Sequence, residues 1–569
     1  VKSVGKIAAL REAVGRRMSS IPDNEFELGL GHTRWATHGE PSERNAHPHL
    51  SGNGGFAVVH NGIIENYARL KEKLINDGCV FKSDTDSEVL AHLIEKSFSG
   101  DLHEAVLSAL ESVEGTYGMA VISTLDRGKI VVARKGSPIV IGVGADESIV
   151  ASDLHAIVAH TKKAVFLDDG DVATVTADNV RISSLSNVPV QRDVTSVDWD
   201  PGRAEKGKYK HYMLKEIHEQ PDALRNAIRG RLVEKDGTVK LSGLQMTPAE
   251  IGRIDRIIIA ACGTSYYAGM VGKRLFEDLA DIPVDVEQAA EFRYSNPIIQ
   301  KDTCMFAVSQ SGETADTIEA VREGMRKGAS VFGICNVVGS TIARETGRGI
   351  YLHAGLEMGV ASTKAFTCQV AALAMIAIMF GRSRRMSAGL GRELTTALAG
   401  LPEIAAGVLA QDEKIKAIAE KYAHVNHFFY LGRGYMFPAA LEGALKLKEI
   451  SYIHAEGYHA AELKHGPIAL LGETIPVLAA VPDTRDKHKT INNMQECLAR
   501  KSPVIAVATE GDSDIDSYCT DVLRIPPCPE FMLPVPVVIA EQLFAYHVAE
   551  LRGCPIDQPR NLAKSVTVE

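Results

Sequence analysis

Ser309-Gln310-Ser311-Gly312-Glu313-Thr314 places three hydroxyls and a glycine within six residues. Hydroxyls donate to anionic oxygens, and a glycine lets the backbone come close to a ligand. The run follows the apolar stretch Met305–Val308 and opens a helical segment carrying Ile318 and Val321. Free N–H groups and the positive end of the helix dipole therefore add to the hydroxyls. Capping a helix needs one Ser or Thr. Three hydroxyls and a glycine at the carboxyl end of a parallel strand exceed that need and point to a phosphate. Gly263-Thr264-Ser265, after another apolar strand, is expected alongside it.

Three further groups could act on what that phosphate holds. In the segment from Pro438 to about Ile453, apolar residues point nearly all round, so this helix reads as buried. Glu442, Lys446 and Glu449 nevertheless fall within about 60° of one another at helical spacing. They form either an ordinary Glu–Lys pair on a narrow solvated stripe or a charged lining in which Glu449 moves a proton and Lys446 tunes it. His465, in the loop Glu462–Pro467, could open a sugar ring or simply decorate the surface. The tail from Asp557 to Glu569 is either a frayed end or a held segment whose Lys564 can form a Schiff base.

Nearer the N-terminus, 31–39 and 47–49 gather four histidines, but no Cys or carboxylate stands at a zinc-like spacing. His60-Asn61-Gly62 follows a strand at Phe56–Val59 and could offer an amide and a backbone N–H to an oxyanion, or be a plain Asn-Gly turn.

The elements that must position these groups fall into distinct regions. Residues 1–185 read as short strands (Phe56–His60, Lys129–Ala133) and helices (Glu65–Asn76, Thr85–Ser97) between polar turns. A linker and helical connection spans 186–246, after which strands and helices alternate as in a parallel sheet. An internal repeat organises that part. Ile257–Gly263 matches Phe428–Gly434, Ala289–Arg293 matches Ala460–Lys464, and Met305–Thr314 matches Ile475–Thr484, at offsets of 171, 171 and 170. The expected domains are 247–387 and 388–556, with a tail at 557–569. Only the first copy keeps the hydroxyl run.

Composition narrows the partners. A net charge of −10 over 569 residues excludes a broad nucleic-acid surface but not a local anion site. Nine cysteines without a C-x-x-C pair read as reduced cytoplasmic thiols. The apolar run Val370–Phe380 is short of the ~20 residues that span a bilayer, so it reads as a core helix, with no membrane partner.

Taken together, His32–His38, His60–Asn66, Ser309–Asp316, Gly359–Lys364, Glu442–Glu449, Glu462–Pro467 and Arg560–Glu569 closely resemble the glutamine–fructose-6-phosphate aminotransferase (isomerising) family, from one end of the chain to the other. The resemblance implies a glutaminase of the N-terminal-nucleophile type followed by two doubly wound α/β SIS domains, α/β and α+β in class. It implies that glutamine and fructose 6-phosphate become glutamate and glucosamine 6-phosphate, the first step of hexosamine synthesis. Ammonia crosses an internal channel, and no metal or organic cofactor takes part.

By the same resemblance, Thr264, Ser265, Ser309, Gln310, Ser311 and Thr314 hold the phosphate, with Ser362 and Ala563 near the sugar. His465 opens the ring from the neighbouring subunit of a homodimer, and Lys564 forms the Schiff base at C2. Glu449, assisted by Lys446, moves the proton between C2 and C1. Asn61 and Gly62 make the oxyanion hole, Arg34, Thr37, His38 and Asp86 bind glutamine, and Trp35 gates the channel.

One departure stands out. Family members begin Cys-Gly-Ile, the cysteine being both nucleophile and free amine, whereas this chain begins at Val1 and its first cysteine is Cys79. The expectation is a truncated glutaminase domain that cannot hydrolyse glutamine, beside an isomerase half that can still act. Two rivals fit less well. An SIS isomerase or deglycase without amide transfer predicts no Arg34, Asn61, Gly62 and Asp86. A sugar-phosphate-sensing binding protein predicts loss of Glu449, His465 or Lys564.

Overall fold

The computed structural model describes all residues except 6, 20–27, 35–37, 159, 197–204 and 568–569. Two compact units result, 1–201 with 566–569, and 202–565.

In the first unit, alternation of side chains along each strand sorts the core into two layers. A six-stranded antiparallel sheet runs in the order His49–Leu50, Phe56–Ile64, Gly115–Ser123, Ile130–Lys135, Asp171–Val175, Val180–Ser184. Phe56, Val58, Met119, Val121, Val131 and Val172 face the helices Tyr67–Asn76, Glu88–Ser97 and Leu102–Leu110. Val59, Ala120, Val132 and Ala173 turn the other way and pack with Ile141, Val165 and Leu167 on the side of a second, four-stranded sheet.

Several boundaries differ from the sequence reading; the helix expected from Thr85, for one, starts at Glu88. The strand expected at Phe56–His60 continues to Ile64, because Asn61 and Gly62 stay paired with Gly118 and Tyr117. They therefore lie within a strand and not in a turn. The unit also runs past 185, since Val194–Ser196 pairs with Lys163–Phe166.

The second unit contains two five-stranded sheets, parallel throughout and of identical order. In the first copy, Arg256–Ala261 lies between Val284–Gln288 and Thr303–Ser309, followed by Ser330–Cys335 and Gly349–Tyr351. In the second, His427–Gly432 lies between His454–His459 and Val477–Ala480, followed by Val504–Thr509 and Asp521–Ile525. The sequence repeat is thus a repeat of structure.

Two helices, Lys364–Arg384 and Glu530–Leu551, are long and apolar enough to cross a membrane by length and composition alone. Their apolar windows are 94% and 100% buried inside the fold, so they are core helices here. The second of them had no counterpart in the sequence reading.

Candidate functional site

The hydroxyl turn sits where the strand Thr303–Ser309 gives way to the helix Ala315–Arg326. Thr314 is the N-cap residue, yet its hydroxyl does not cap; it pairs with Ser309 Oγ at 3.0 Å. Gly312 N–H donates to Ser309 Oγ at 3.0 Å, and Glu313 N–H to Ser311 Oγ at 3.1 Å. The turn is tight enough to demand glycine. Gly312 has φ +67°, and a Cβ there would stand 2.1 Å from Ser340 Oγ. Gln310 Nε2, Ser340 Oγ and Ser362 Oγ are buried polar atoms without a hydrogen-bond partner in this structure. Gln310 lies in the turn and Ser340 against Gly312, so both can donate to an anion held there.

The second copy contributes a helix whose charged residues reach Thr264 of the first. Helix Met436–Ser451 is buried nearly all round, as its composition predicts, and its charged stripe is not solvated. Glu442 and Lys446 have no exposed side-chain surface, and Glu449 is 20% exposed. Lys446 Nζ lies 2.7 Å from Glu449 Oε2 and 3.4 Å from Glu442 Oε1, and it donates to Thr264 Oγ1 at 3.1 Å. Thr264 in turn donates to Glu442 Oε1 at 3.2 Å. Burial pushes the Glu442 carboxyl up to about 7, with Lys446 pulling the other way. Burial also opposes the Lys446 charge, but Glu442 and Glu449 outweigh it and hold the ammonium above its ordinary range. Ser265 accepts from Gln369 Nε2 at 2.9 Å, which leaves its proton to offer.

The C-terminal tail is held, not frayed. Arg560 N–H donates to Tyr452 Oη at 2.9 Å with its guanidinium 4.2 Å from that ring, and Asp557 O accepts from Val360 N–H at 3.1 Å. Ser565 Oγ donates to Ser311 Oγ at 3.1 Å, which brings the tail to the phosphate turn. Its neighbour Lys564 reaches Glu357 Oε2 at 2.6 Å and Gly359 O at 2.8 Å. Ala563 is exposed beside it.

Glu357 and its companion Glu216 were missed by sequence reasoning. Glu357 lies only five residues from Ser362, but nothing in its spacing marks it. Burial would raise its carboxyl, yet Lys564 and the N–H groups of Thr363 and Ala365 bring it down to about 2. Glu216 is pushed up to about 7 by burial and by Glu357. His465 does not join this set: it is exposed, at the end of the 3-10 turn Ala460–His465.

In the first unit, His32, Arg34, His38, Asn61, Gly62 and Asp86 line one concavity. Asn61 Oδ1 faces His32 Nε2 at 2.8 Å, which turns its NH2 away from that ring. Gly62 has φ +124°, and a Cβ would meet Thr116 O at 2.2 Å, so only glycine fits. Asp86 is 2% exposed; it accepts from Ile64 N–H at 2.8 Å and lies 4.0 Å from His38 Nδ1. Arg34 donates to the carbonyls of His38, Gly39 and Glu40. A buried carboxylate and a guanidinium on one concavity suit an amino acid's ammonium and carboxylate. Trp35 and Thr37 lie outside the described residues.

His32, His47 and His49 pack ring on ring, with centroids 4.1 and 4.6 Å apart. Burial drives His47 far below its ordinary range and His49 to about 4, so both are neutral at physiological pH. Among the described residues no group of three or more His, Cys, Asp or Glu could hold a metal ion.

Known proteins resemble both units of the chain. Residues 250–379 and 421–552 match the SIS domain, and 32–159 match the glutamine amidotransferase domain. The chain is 52% identical over 573 residues to the glutamine–fructose-6-phosphate aminotransferase (isomerising) of Chlorobaculum tepidum, covering 100% of this chain and 93% of that protein. It is 48% identical over 570 residues to the enzyme of that name from Thermus thermophilus, again covering 93% of it. Among solved structures, the C-terminal domain of the glucosamine-fructose-6-phosphate aminotransferase of Francisella tularensis aligns over 62% of this chain and 100% of that one, with TM-score 0.59 and 39% identity. Tagatose-6-phosphate ketose/aldose isomerase from Escherichia coli shares the fold at TM-score 0.51 and 18% identity, over 62% of this chain and 95% of that one.

Proposed function

The chain belongs to the glutamine–fructose-6-phosphate aminotransferase (isomerising) family, and from that premise we propose that it makes glucosamine 6-phosphate from fructose 6-phosphate, with glutamine as nitrogen donor and glutamate as by-product, or with ammonium in glutamine's place. Ser309, Gln310, Ser311, Thr314, Thr264 and Ser265 anchor the sugar phosphate, and Ser362 and Ala563 flank the sugar. Lys564 forms an imine at C2. An imine acidifies the adjacent C–H, so Glu449, with Lys446 beside it at 2.7 Å, can carry the proton between C2 and C1. The observation that supports this reading is the Ser565–Ser311 bond, which brings the tail beside Lys564 to the phosphate turn.

In the first unit, Arg34 takes the glutamine α-carboxylate and Asp86 the α-amino group, with Thr37 and His38 beside them. Asn61 and Gly62 stabilise the oxyanion, and Trp35 gates the ammonia channel. The enzyme works in the cytoplasm, in keeping with nine free thiols. By the family resemblance it works as a homodimer in which His465, exposed on its own chain, opens the ring in a neighbour's site.

The test is the product formed from fructose 6-phosphate with glutamine or with ammonium. Glucosamine 6-phosphate is expected, and its absence with both donors would overturn the reading. The dimer is tested by mixing inactive His465→Ala and Lys564→Ala chains. Mixed dimers with one intact site recover activity; no recovery after verified subunit exchange would place His465 in its own chain's site.

A further inference from the structure

Lys564 meets the pocket as an ammonium, and an ammonium cannot add to a carbonyl. It has to lose a proton first, and a second one before the imine is complete. Its two partners differ in what they can do about this. Gly359 O, at 2.8 Å, accepts a hydrogen bond but cannot take the proton. Glu357 Oε2, at 2.6 Å, can.

The two oxygens of Glu357 are divided between tasks. Oε1 accepts from Thr363 N–H at 2.8 Å and Ala365 N–H at 3.1 Å, which fixes the carboxylate. Oε2 is left facing the lysine. Glu357 is 1% exposed, so a proton placed on it stays within the site. The loop that presents both partners is clamped from behind: Glu216, 2% exposed, accepts from the N–H groups of Met358 and Gly359. A Cβ at Gly359 would stand 2.9 Å from Glu216 Oε2, so a larger residue there would press on the clamp. The remaining charges nearby are engaged elsewhere. Lys364 pairs with Glu219 at 2.7 Å, and Lys446 with Glu442 and Glu449.

We infer that Glu357 is a second acid–base catalyst of this site, carrying both spare protons of the Lys564 ammonium to the departing carbonyl oxygen, with Glu216 as the positioning residue that holds its loop. This rests on Lys564 being the imine-forming amine. The step balances. Glu357 takes one proton from Lys564, whose free electron pair forms the C2–N bond as the carbonyl π pair moves to oxygen. Glu357 returns that proton to the alkoxide. It then takes a second proton from nitrogen and delivers it to the hydroxyl, which leaves as water while the nitrogen pair closes the C=N bond. Ammonium and ketone become iminium and water, and Glu357 ends as the carboxylate it began as. The depressed Glu357 carboxyl fits this cycle, because the ammonium that holds it down is consumed as it acts.

Borohydride reduction of the full chain with fructose 6-phosphate, followed by peptide mass spectrometry, reads imine formation at Lys564 directly. In Glu357→Gln the trapping rate is expected to fall about 100-fold near neutral pH, the scale of a lost acid–base catalyst. The residual rate should climb with pH as solvent takes over the proton, while binding of a non-reactive hexitol 6-phosphate stays unchanged. Glu357→Asp, which keeps the charge, is expected to recover most of the loss. Wild-type trapping rate and pH profile in Glu357→Gln would overturn this inference alone. If that variant does not fold, a wild-type trapping rate and pH profile in Glu357→Ala, which has no carboxylate to take the proton, overturn it instead. No adduct at Lys564 in the wild-type chain would overturn the imine reading first and this inference with it.

Discussion

The two repeats of the second unit share strand order, a glycine after the first strand (Gly263, Gly434) and a helix that follows the third strand, yet the turns after that third strand have opposite chemistry. After Thr303–Ser309 the first copy presents Ser309, Ser311 and Thr314, with Gln310 Nε2 lacking a partner. After Val477–Ala480 the second copy presents Val481, Pro482, Asp483 and Thr484. There Asp483 pairs with Lys487 at 2.7 Å, Lys487 with Asp512 at 2.7 Å, and Thr484 donates to Asp486 at 2.9 Å. Groups that could meet an anion are occupied by the chain's own carboxylates. The end of a parallel strand therefore permits a site without making one. What makes one is a set of donors the fold leaves unengaged.

The sharpest way to break this contrast is at the turn glycine. Gly312→Val combines a left-handed φ with a clash against Ser340, and is expected to abolish fructose 6-phosphate binding by calorimetry and to destabilise the unit by about 2–4 kcal/mol. Pro482→Ala, at the matching place in the second copy, is expected to leave binding unchanged. Equal losses in both would mean that the second turn also serves the ligand.

Smaller in effect is the removal of one donor. Ser311→Ala is expected to weaken binding by roughly 10- to 100-fold, the worth of one hydrogen bond to a charged group. Thr484→Ala should do nothing measurable in the same titration.

The smallest effect concerns the core helices. That of the first copy has apolar Val370–Ala372 deep inside, whereas that of the second carries Glu541, fully buried with neither oxygen hydrogen-bonded. Burial, with Glu442 nearby, holds Glu541 well above the carboxylate range. The native state thus keeps a proton that the unfolded chain releases above about 4.3. Its stabilising contribution is full below that pH and declines as pH rises toward the native value. Glu216 and Glu442, at about 7, add the same trend up to neutrality. Glu541→Leu should therefore give a shallower fall of Tm between pH 5 and 8, by up to about 1.4 kcal/mol per pH unit in the underlying stability. A slope identical to wild type would mean that Glu541 is ionised in the native state.

Much of this was legible in the sequence because it is local. The hydroxyl turn, each matched landmark of the repeat, the apolar residues all round helix 436–451 and the start of the strand at Phe56 are written in short runs. Three matters were not. Spacing could not tell a solvated Glu442–Lys446 stripe from a buried one, because the deciding groups, such as Thr264, come from the other repeat. Glu357 and Glu216 carry no motif of their own; only the fold brings residues 216, 357 and 564 together. His465 sits in a recognisable loop, but an exposed position says nothing by itself about the surface it meets.

The bond between Ser565 and Ser311 has one more consequence, read from valence. A hydroxyl oxygen has two lone pairs and one proton. Ser311 Oγ accepts from Glu313 N–H and from Ser565, each at 3.1 Å, which fills both lone pairs. Only its proton is left to offer. The hydroxyl has become a one-way group, able to greet an acceptor and unable to greet a donor. Such a site selects by electron-pair count as well as by shape: a fully ionised phosphoryl oxygen satisfies it, while a P–OH, an alcohol or an ammonium turned toward the same spot meets proton against proton. The grip on the sugar should accordingly tighten as the phosphate loses its second proton, near pH 6.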